Sequence, residues 1–144
     1  MAHSIQVTFD AHDPAALGAF WAAALGYIEE PPPAPHASWE EALAAWGVPK
    51  ERWNDGYAID DPDGKGPRIY FQKVPEGKTA KNRVHLDVNP TPGMGRDDPG
   101  RLAAIEQEAR RLTELGATIQ RHVEEPTANH WVLLDPEGNE FCVH

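Results

Sequence analysis

The sequence predicts an α+β fold in which one strand–helix–strand pattern occurs twice, and three observations carry that prediction. Two segments alternate strictly between polar and apolar residues, Ile5-Gln6-Val7-Thr8-Phe9-Asp10 and Arg83-Val84-His85-Leu86-Asp87-Val88. Period-two alternation marks a strand with one face on a core. Each is followed by a helical pattern introduced by Asp-Pro and closed by Leu-Gly, at 13–14 and 25–26 and again at 98–99 and 115–116. An Asp-Pro-acidic-Gly turn then precedes the last strand of each copy, at 61–64 and 135–138. Matched punctuation in the same order is a stronger signal than any single motif. One copy is too small to bury a good core alone, so the pair is expected to fold as one domain over residues 1–144. Module one covers 1–77 and module two 78–144. Two curled mixed sheets, each backed by an outer helix, would turn their polar faces towards a central cleft.

The elements follow in order. In the strand over 5–10, Ile5, Val7 and Phe9 form the apolar face. Asp13 is a helix N-cap with Pro14 at the first helical position, where its missing N–H does no harm. Leu17, Phe20, Trp21, Ala24 and Leu25 make one apolar stripe, and Gly26 ends the helix as a left-handed cap. A proline-rich connection over 29–35 leads into an insertion near 31–56. Within it Ser38-Trp39-Glu40-Glu41 has capping-box form and predicts a short helix stopped by Gly47. Trp39, Leu43 and Trp46 would share one of its faces. Residues 50–56 read as a turn or a second short helical piece, 57–60 as a short strand and 68–74 as the next. Ile69 and Phe71 share one face of that strand, with Lys73 in line, and Arg68, Tyr70 and Gln72 lie opposite. A basic crossover over 75–82 leads to the strand over 83–88. A Gly- and Pro-rich loop over 90–97 precedes the second helix, whose stripe is Leu102, Ile105, Ala109, Leu112 and Leu115. Strands over 118–123, 130–134 and 140–144 complete the chain.

Composition narrows the function. The formal charge of −10 argues against a nucleic-acid or anionic-membrane binder, since both reward a basic surface. No apolar run approaches the roughly 20 residues needed to cross a bilayer, and no signal-peptide pattern opens the chain. The single cysteine, Cys142, excludes an intrachain disulfide and suits a reducing cytoplasm. A soluble cytoplasmic protein with a small-molecule partner is the expectation.

His85 is the first candidate for chemistry. It projects with Arg83 and Asp87 from the polar face of its strand, and its ordinary pKa near 6.5 suits acid–base work at neutrality. The plainer alternative is a wall residue hydrogen-bonded to Asp87 or Tyr70. Gln6, Thr8, Tyr70, Gln72 and Asp87 are candidate ligand contacts on the polar strand faces. Tyr70 could also donate to a bound oxyanion. Cys142 is either a small buried hydrophobe or a pocket thiol, with Glu140 on the same face. Trp39 and Trp46 either glue the insertion to the domain or wall a pocket as a lid. His144 sits at the chain end, His130 opens a strand bordering the predicted cleft, and the other histidines lack zinc-motif spacing. Lys78, Lys81 and Arg83 are either a solvated crossover or a local attractor for an anion.

The segments Val7-Thr8-Phe9-Asp10, Phe20-Trp21, Leu25-Gly26-Tyr27, Pro67 to Gln72, Lys81 to Asp87 and Asp135 to Val143 together carry a family resemblance. The chain resembles the glyoxalase-like members of the vicinal oxygen chelate superfamily, which includes bleomycin-resistance proteins and extradiol dioxygenases. The resemblance implies paired βαβββ modules and is compatible with a homodimer. It also implies a divalent metal such as zinc, nickel, manganese or iron, held by residues on the first and last strands of each module. Carried over by position, the metal set is Gln6, Gln72, His85 and Cys142. The pattern Gly-Asn-x-x-Glu would place a carboxylate at 142, but the chain reads Gly138-Asn139-Glu140-Phe141-Cys142. Gln72 cannot serve as a proton-transfer base, and Cys142 ligates only as a thiolate. The resemblance thus implies lyase, isomerase or dioxygenase chemistry on a small oxygenated metabolite. A metal-free ligand-sequestering protein and a regulatory module with a vestigial cleft stand as alternatives.

Overall fold

The strand over residues 7–11 (β1, Val7–Ala11) runs parallel to the strand at Ile69–Lys73 (β4), which pairs antiparallel with Gly56–Asp60 (β3). The two-residue strand Ile28–Glu29 (β2) completes a sheet of order β1-β4-β3-β2. The second half repeats this plan. Asp87–Val88 (β5) runs parallel to Glu140–Val143 (β8), and Ala128–Leu134 (β7) and Thr118–Glu125 (β6) follow antiparallel, giving β5-β8-β7-β6. The computed structural model describes residues 1–125 and 128–144. The result is an α+β fold of two four-stranded mixed sheets, and the chain divides into units Met1–Gly77 and Lys78–His144.

In the first unit, the helix Pro14–Leu25 (α1) begins where predicted. The Asp13 carboxylate accepts from Ala16 N at 3.2 Å and from Asn54 Nδ2 at 2.7 Å, and Asn54 Oδ1 accepts from Ala15 N at 2.9 Å. One side-chain pair therefore satisfies two amide groups that a helix start leaves open. Gly26 closes the helix at φ 72°, and Tyr27 N donates to Ala22 O. Leu17, Phe20, Trp21 and Ala24 are buried with Ile59, Ile69 and Phe71 of the sheet. Phe9 lies 5.3 Å, ring to ring, from both Trp21 and Phe71. Ile5 departs from expectation: β1 starts at Val7, and Ile5 is 72% exposed.

Asp13→Ala is expected to cost about 1 kcal/mol, as loss of an N-cap does. The bond from Asn54, then that from Ala16, holds the Asp13 carboxyl below its ordinary 3.8. A depressed carboxyl contributes stability that is fully present above its unfolded pKa and fades as pH falls through the folded one. Urea midpoints should therefore drop more in wild type than in Asp13→Asn between pH 5 and the acid range below 3.8.

The helix Trp39–Ala45 (α2) also forms as read. Ser38 Oγ accepts from Glu41 N at 3.1 Å, and Glu41 reaches back to Ala37 N at 2.8 Å. A 3-10 turn over Lys50–Arg52 follows.

In the second unit the helix spans Arg101–Glu114 (α3), and its Asp-Pro introduction works differently. Asp98 does not cap it. The Asp98 carboxylate accepts from Gly100 N at 3.0 Å and its carbonyl from Arg101 N, so Asp98-Pro99 makes a turn ahead of a helix whose N-cap is Gly100. Ile105, Ala109 and Leu112 are buried with Leu133, Phe141 and Val143, whereas Leu102 is 50% exposed and Leu115 38%. At the far end Gly116 adopts φ 117°, Gly116 N donates to Thr113 O and Ala117 N to Leu112 O, a Schellman closure.

Both Asp-Pro-acidic-Gly turns form alike. Gly64 N donates to Asp61 O and Gly138 N to Asp135 O, each at 2.9 Å, with both glycines at positive φ. The largest correction falls on the strand over 83–88, since only Asp87 and Val88 join the ladder and Val84 is 79% exposed.

Candidate functional site

Register assembles the site in the second unit. Asp87 stands opposite Cys142 in the parallel β5–β8 pair, and Cys142 opposite Val132 in β7. Paired residues share a sheet face, so Asp87, Cys142 and, two residues on, His144 lie on the side away from Phe141 and Val143. His130, two residues before Val132, joins them. His144 is held in place because its backbone N–H donates to Val88 O at 3.1 Å.

The Asp87 carboxylate sits between two imidazoles. Oδ1 is 3.1 Å from His85 Nε2 and Oδ2 is 3.8 Å from His144 Nε2, with all three side chains about half exposed. Donor atoms of His85, Asp87 and Cys142 lie within 4.8 Å of one another. These residues line a cavity of about 450 Å³ together with His130, Arg96 and Arg101. A nitrogen, an oxygen and a sulfur donor in one cluster form a set that suits zinc, so these three residues could hold a divalent ion. Burial, then the Asp87 charge, pushes the Cys142 thiol up, so a metal would have to displace its proton.

Glu140 has another task. Its carboxylate accepts from Asn82 N at 2.9 Å and lies 3.1 Å from Lys78 Nζ, and Asn82 Nδ2 donates to its carbonyl at 3.4 Å. The Asn82 amide, with Lys78, holds this carboxyl down at about 2. The residue read as a ligand contact instead pins the crossover leading to His85. Lys78, read as part of a basic attractor, is likewise engaged.

The first-unit candidates are placed otherwise. Gln6 precedes β1, its Oε1 accepting from Arg68 Nη1 at 2.7 Å and its Nε2 donating to Thr8 Oγ1 at 3.3 Å. Gln72 donates to Asp10 at 3.2 Å. With Gln6 matched to His85, Thr8 matches Asp87, and Thr8 pairs with Tyr70 as Asp87 pairs with Cys142. Tyr70, not Gln72, is therefore the counterpart of Cys142. Gln72 lies four residues beyond Arg68, the neighbour of Gln6, or about 13 Å along the strand, so Gln6 and Gln72 do not converge on one ion. The sequence missed this because a two-residue slip preserves strand alternation. Trp39 and Tyr70 line a first-unit pocket, while Trp46 stands 55% exposed with its ring 6.3 Å from that of Trp39.

Sequence reasoning passed over His144 as a chain end, although its spacing from Cys142 puts it on the same face. Arg96 and Arg101 come from a loop and a helix start, and no periodicity marks them.

Comparison with known proteins agrees with this architecture. The model of the family described as glyoxalase-like domain matches residues 6–144. No curated protein matches the sequence. Among solved structures the chain is similar to a possible glyoxalase from Bacillus cereus, at 14% identity and TM-score 0.60, covering 99% of this chain and 98% of that one. It is similar to the fosfomycin resistance protein FosX from Mesorhizobium loti, at 12% identity and TM-score 0.62, covering 100% and 91%. It is also similar to the bleomycin-binding protein from Streptomyces verticillus complexed with copper(II)-bleomycin, at 18% identity and TM-score 0.52, covering 99% and 95%. At such identities the likeness to these structures is one of fold. With its family model, its repeated sheet order and these neighbours, the chain belongs to the glyoxalase-like domain family of the vicinal oxygen chelate superfamily.

Proposed function

We propose that this protein binds a small oxygenated metabolite in the second-unit pocket and acts on it through His85, working in the cytoplasm. The observation that carries the reading is the meeting of His85, Asp87 and Cys142 on one open sheet face within 4.8 Å. With no metal bound, Asp87 accepts at His85 Nε2, which orients the ring and leaves Nδ1 as the proton acceptor. Arg96 and Arg101 give the same cavity cationic groups for an oxygen-rich ligand. With a divalent metal held by His85, Asp87 and Cys142, His85 would serve as a ligand in place of a proton acceptor, and the metal would supply Lewis-acid polarisation of a ligand oxygen. Lyase, isomerase or dioxygenase chemistry follows from the family and not from these residues alone.

A second reading is a metal-free sequestering protein. It is favoured by the thiol at 142, which keeps its proton where the family pattern would put a carboxylate. The fold shared with the bleomycin-binding protein supports it in kind.

Metal content of tag-free protein, followed by thermal melts with zinc, nickel, manganese or ferrous ion, separates the two. Under the first reading metal raises the melting temperature, with a gain of about 2.7 kcal/mol at a hundredfold excess over Kd. His85→Ala and Cys142→Ser should each abolish that rise without lowering the metal-free melt. An unshifted melt for every metal would exclude the metal-dependent reading and leave the sequestering one.

A further inference from the structure

We propose that the pocket of the first unit is a second ligand site, suited to a small organic cation with an aromatic or branched alkyl body. It is built wholly from first-unit residues and stands independently of the His85 reading. The cavity measures about 500 Å³, within the range of small-molecule sites. Its walls are aromatic: Trp39 and Trp53 of the insertion, with Tyr57 and Tyr70 of the sheet. The indole N–H of Trp39 donates to Glu30 O at 2.6 Å and that of Trp53 to Val48 O at 2.9 Å. With their only polar atoms engaged by backbone, the two indoles present hydrocarbon surface to the pocket.

The charges on this wall do not cancel. Arg68 is held by both oxygens of Glu30 at 2.7 Å, and Arg52 by Asp55 at 2.8 Å. Each guanidinium in the pocket therefore already faces a carboxylate. Glu29 and Glu40 also line it, and among the described residues neither has a cationic partner. The Glu29 charge acts on the pocket itself, since after burial it is what pushes the Tyr57 phenol up. The aromatic faces here already attract cations: Arg68 Cζ lies 5.4 Å from the Tyr70 ring centre and Lys50 Nζ 5.8 Å from that of Trp53. Ring faces beside unopposed carboxylates favour a cation that sheds water cheaply, such as a quaternary ammonium. An anion would meet the two free carboxylates, in a chain of net charge −10.

The test is titration of the intact protein with benzyltrimethylammonium, benzyl alcohol and benzoate at matched ionic strength, following the tryptophan indole N–H resonances. Benzyltrimethylammonium should saturate and shift Trp39 and Trp53 but not the buried Trp21. Benzyl alcohol should bind more weakly and benzoate not at all. Glu29→Gln and Glu40→Gln are exposed and compatible with folding, and each should weaken the cation by about three- to tenfold. His85→Ala should leave its affinity unchanged, whatever becomes of the second-unit site. Benzoate or benzyl alcohol binding as tightly, no saturation by any probe, or loss of binding in His85→Ala would each overturn the proposal.

Discussion

Gly18→Ala should destabilise the first unit by about 1–2 kcal/mol, although alanine is the better helix former. Propensity alone would favour alanine inside α1 by about 1 kcal/mol. Packing opposes it. A Cβ at position 18 would stand 2.2 Å from Tyr57 Cδ1, 2.6 Å from Cε1 and 3.2 Å from Phe71 Cδ2. Phe71 is fully buried and cannot retreat, so the Tyr57 ring must move. A clash this close belongs in the upper part of the overpacking range, about 2–3 kcal/mol, and outweighs propensity. Urea unfolding of the two single variants and the double variant decides the matter. In the Tyr57→Ala background, where the obstructing ring is gone, Gly18→Ala should become neutral or stabilising. A destabilisation of equal size in both backgrounds would show that the helix tolerates no side chain there for another reason.

Asp135→Ala should cost more, about 3 kcal/mol, and its effect should fall on the second unit. Asp135 is 3% exposed. Its Oδ1 accepts from Glu137 N at 2.9 Å and Asn139 N at 3.0 Å, and its Oδ2 from Asn139 Nδ2 at 2.9 Å. Removing the acceptor strands donors where water does not easily replace it, and bonds to a charged group are the costly ones to lose. The repeat supplies an internal control. Asp61, its counterpart, accepts from the amides of Asp63, Lys65 and Gly66, which hold its carboxyl below the ordinary value. Asp61 is only half-buried, so Asp61→Ala should lose less. Equal losses at 61 and 135 would mean that burial does not set the difference.

The sequence carried the duplication well because its punctuation is local. Asp13-Pro14, Gly26, Ser38, Gly64, Gly116 and Gly138 each satisfy a requirement set within a few residues, and each stands where it was read. What depends on distant chain was less legible. The alternation of Arg83 to Val88 describes an extended segment, but ladder pairing needs a partner, and β8 reaches only Asp87 and Val88 within β5. Asp98-Pro99 has the same letters as Asp13-Pro14 but lacks an Asn54 to complete the cap. Of the site, His85, Asp87 and Cys142 were read from alternation. The misplacement of Gln72 and the true employment of Glu140 turned on register and on a partner 58 residues away. The two-residue β2 left no trace, since a strand so short has no period.

In both sheets the strand made last lies inside: β4 between β1 and β3, and β8 between β5 and β7. During synthesis, then, β1 must wait with its edge open until residues 69–73 have been made, and β5 until 140–143. Neither sheet can grow strand by strand from the N-terminal side; each closes in one late event that joins distant parts of its unit. A protease that removed Glu140–Val143 would not trim an edge. It would leave β5 and β7 without their shared neighbour, exposing two unpaired edges of the kind that recruit other chains.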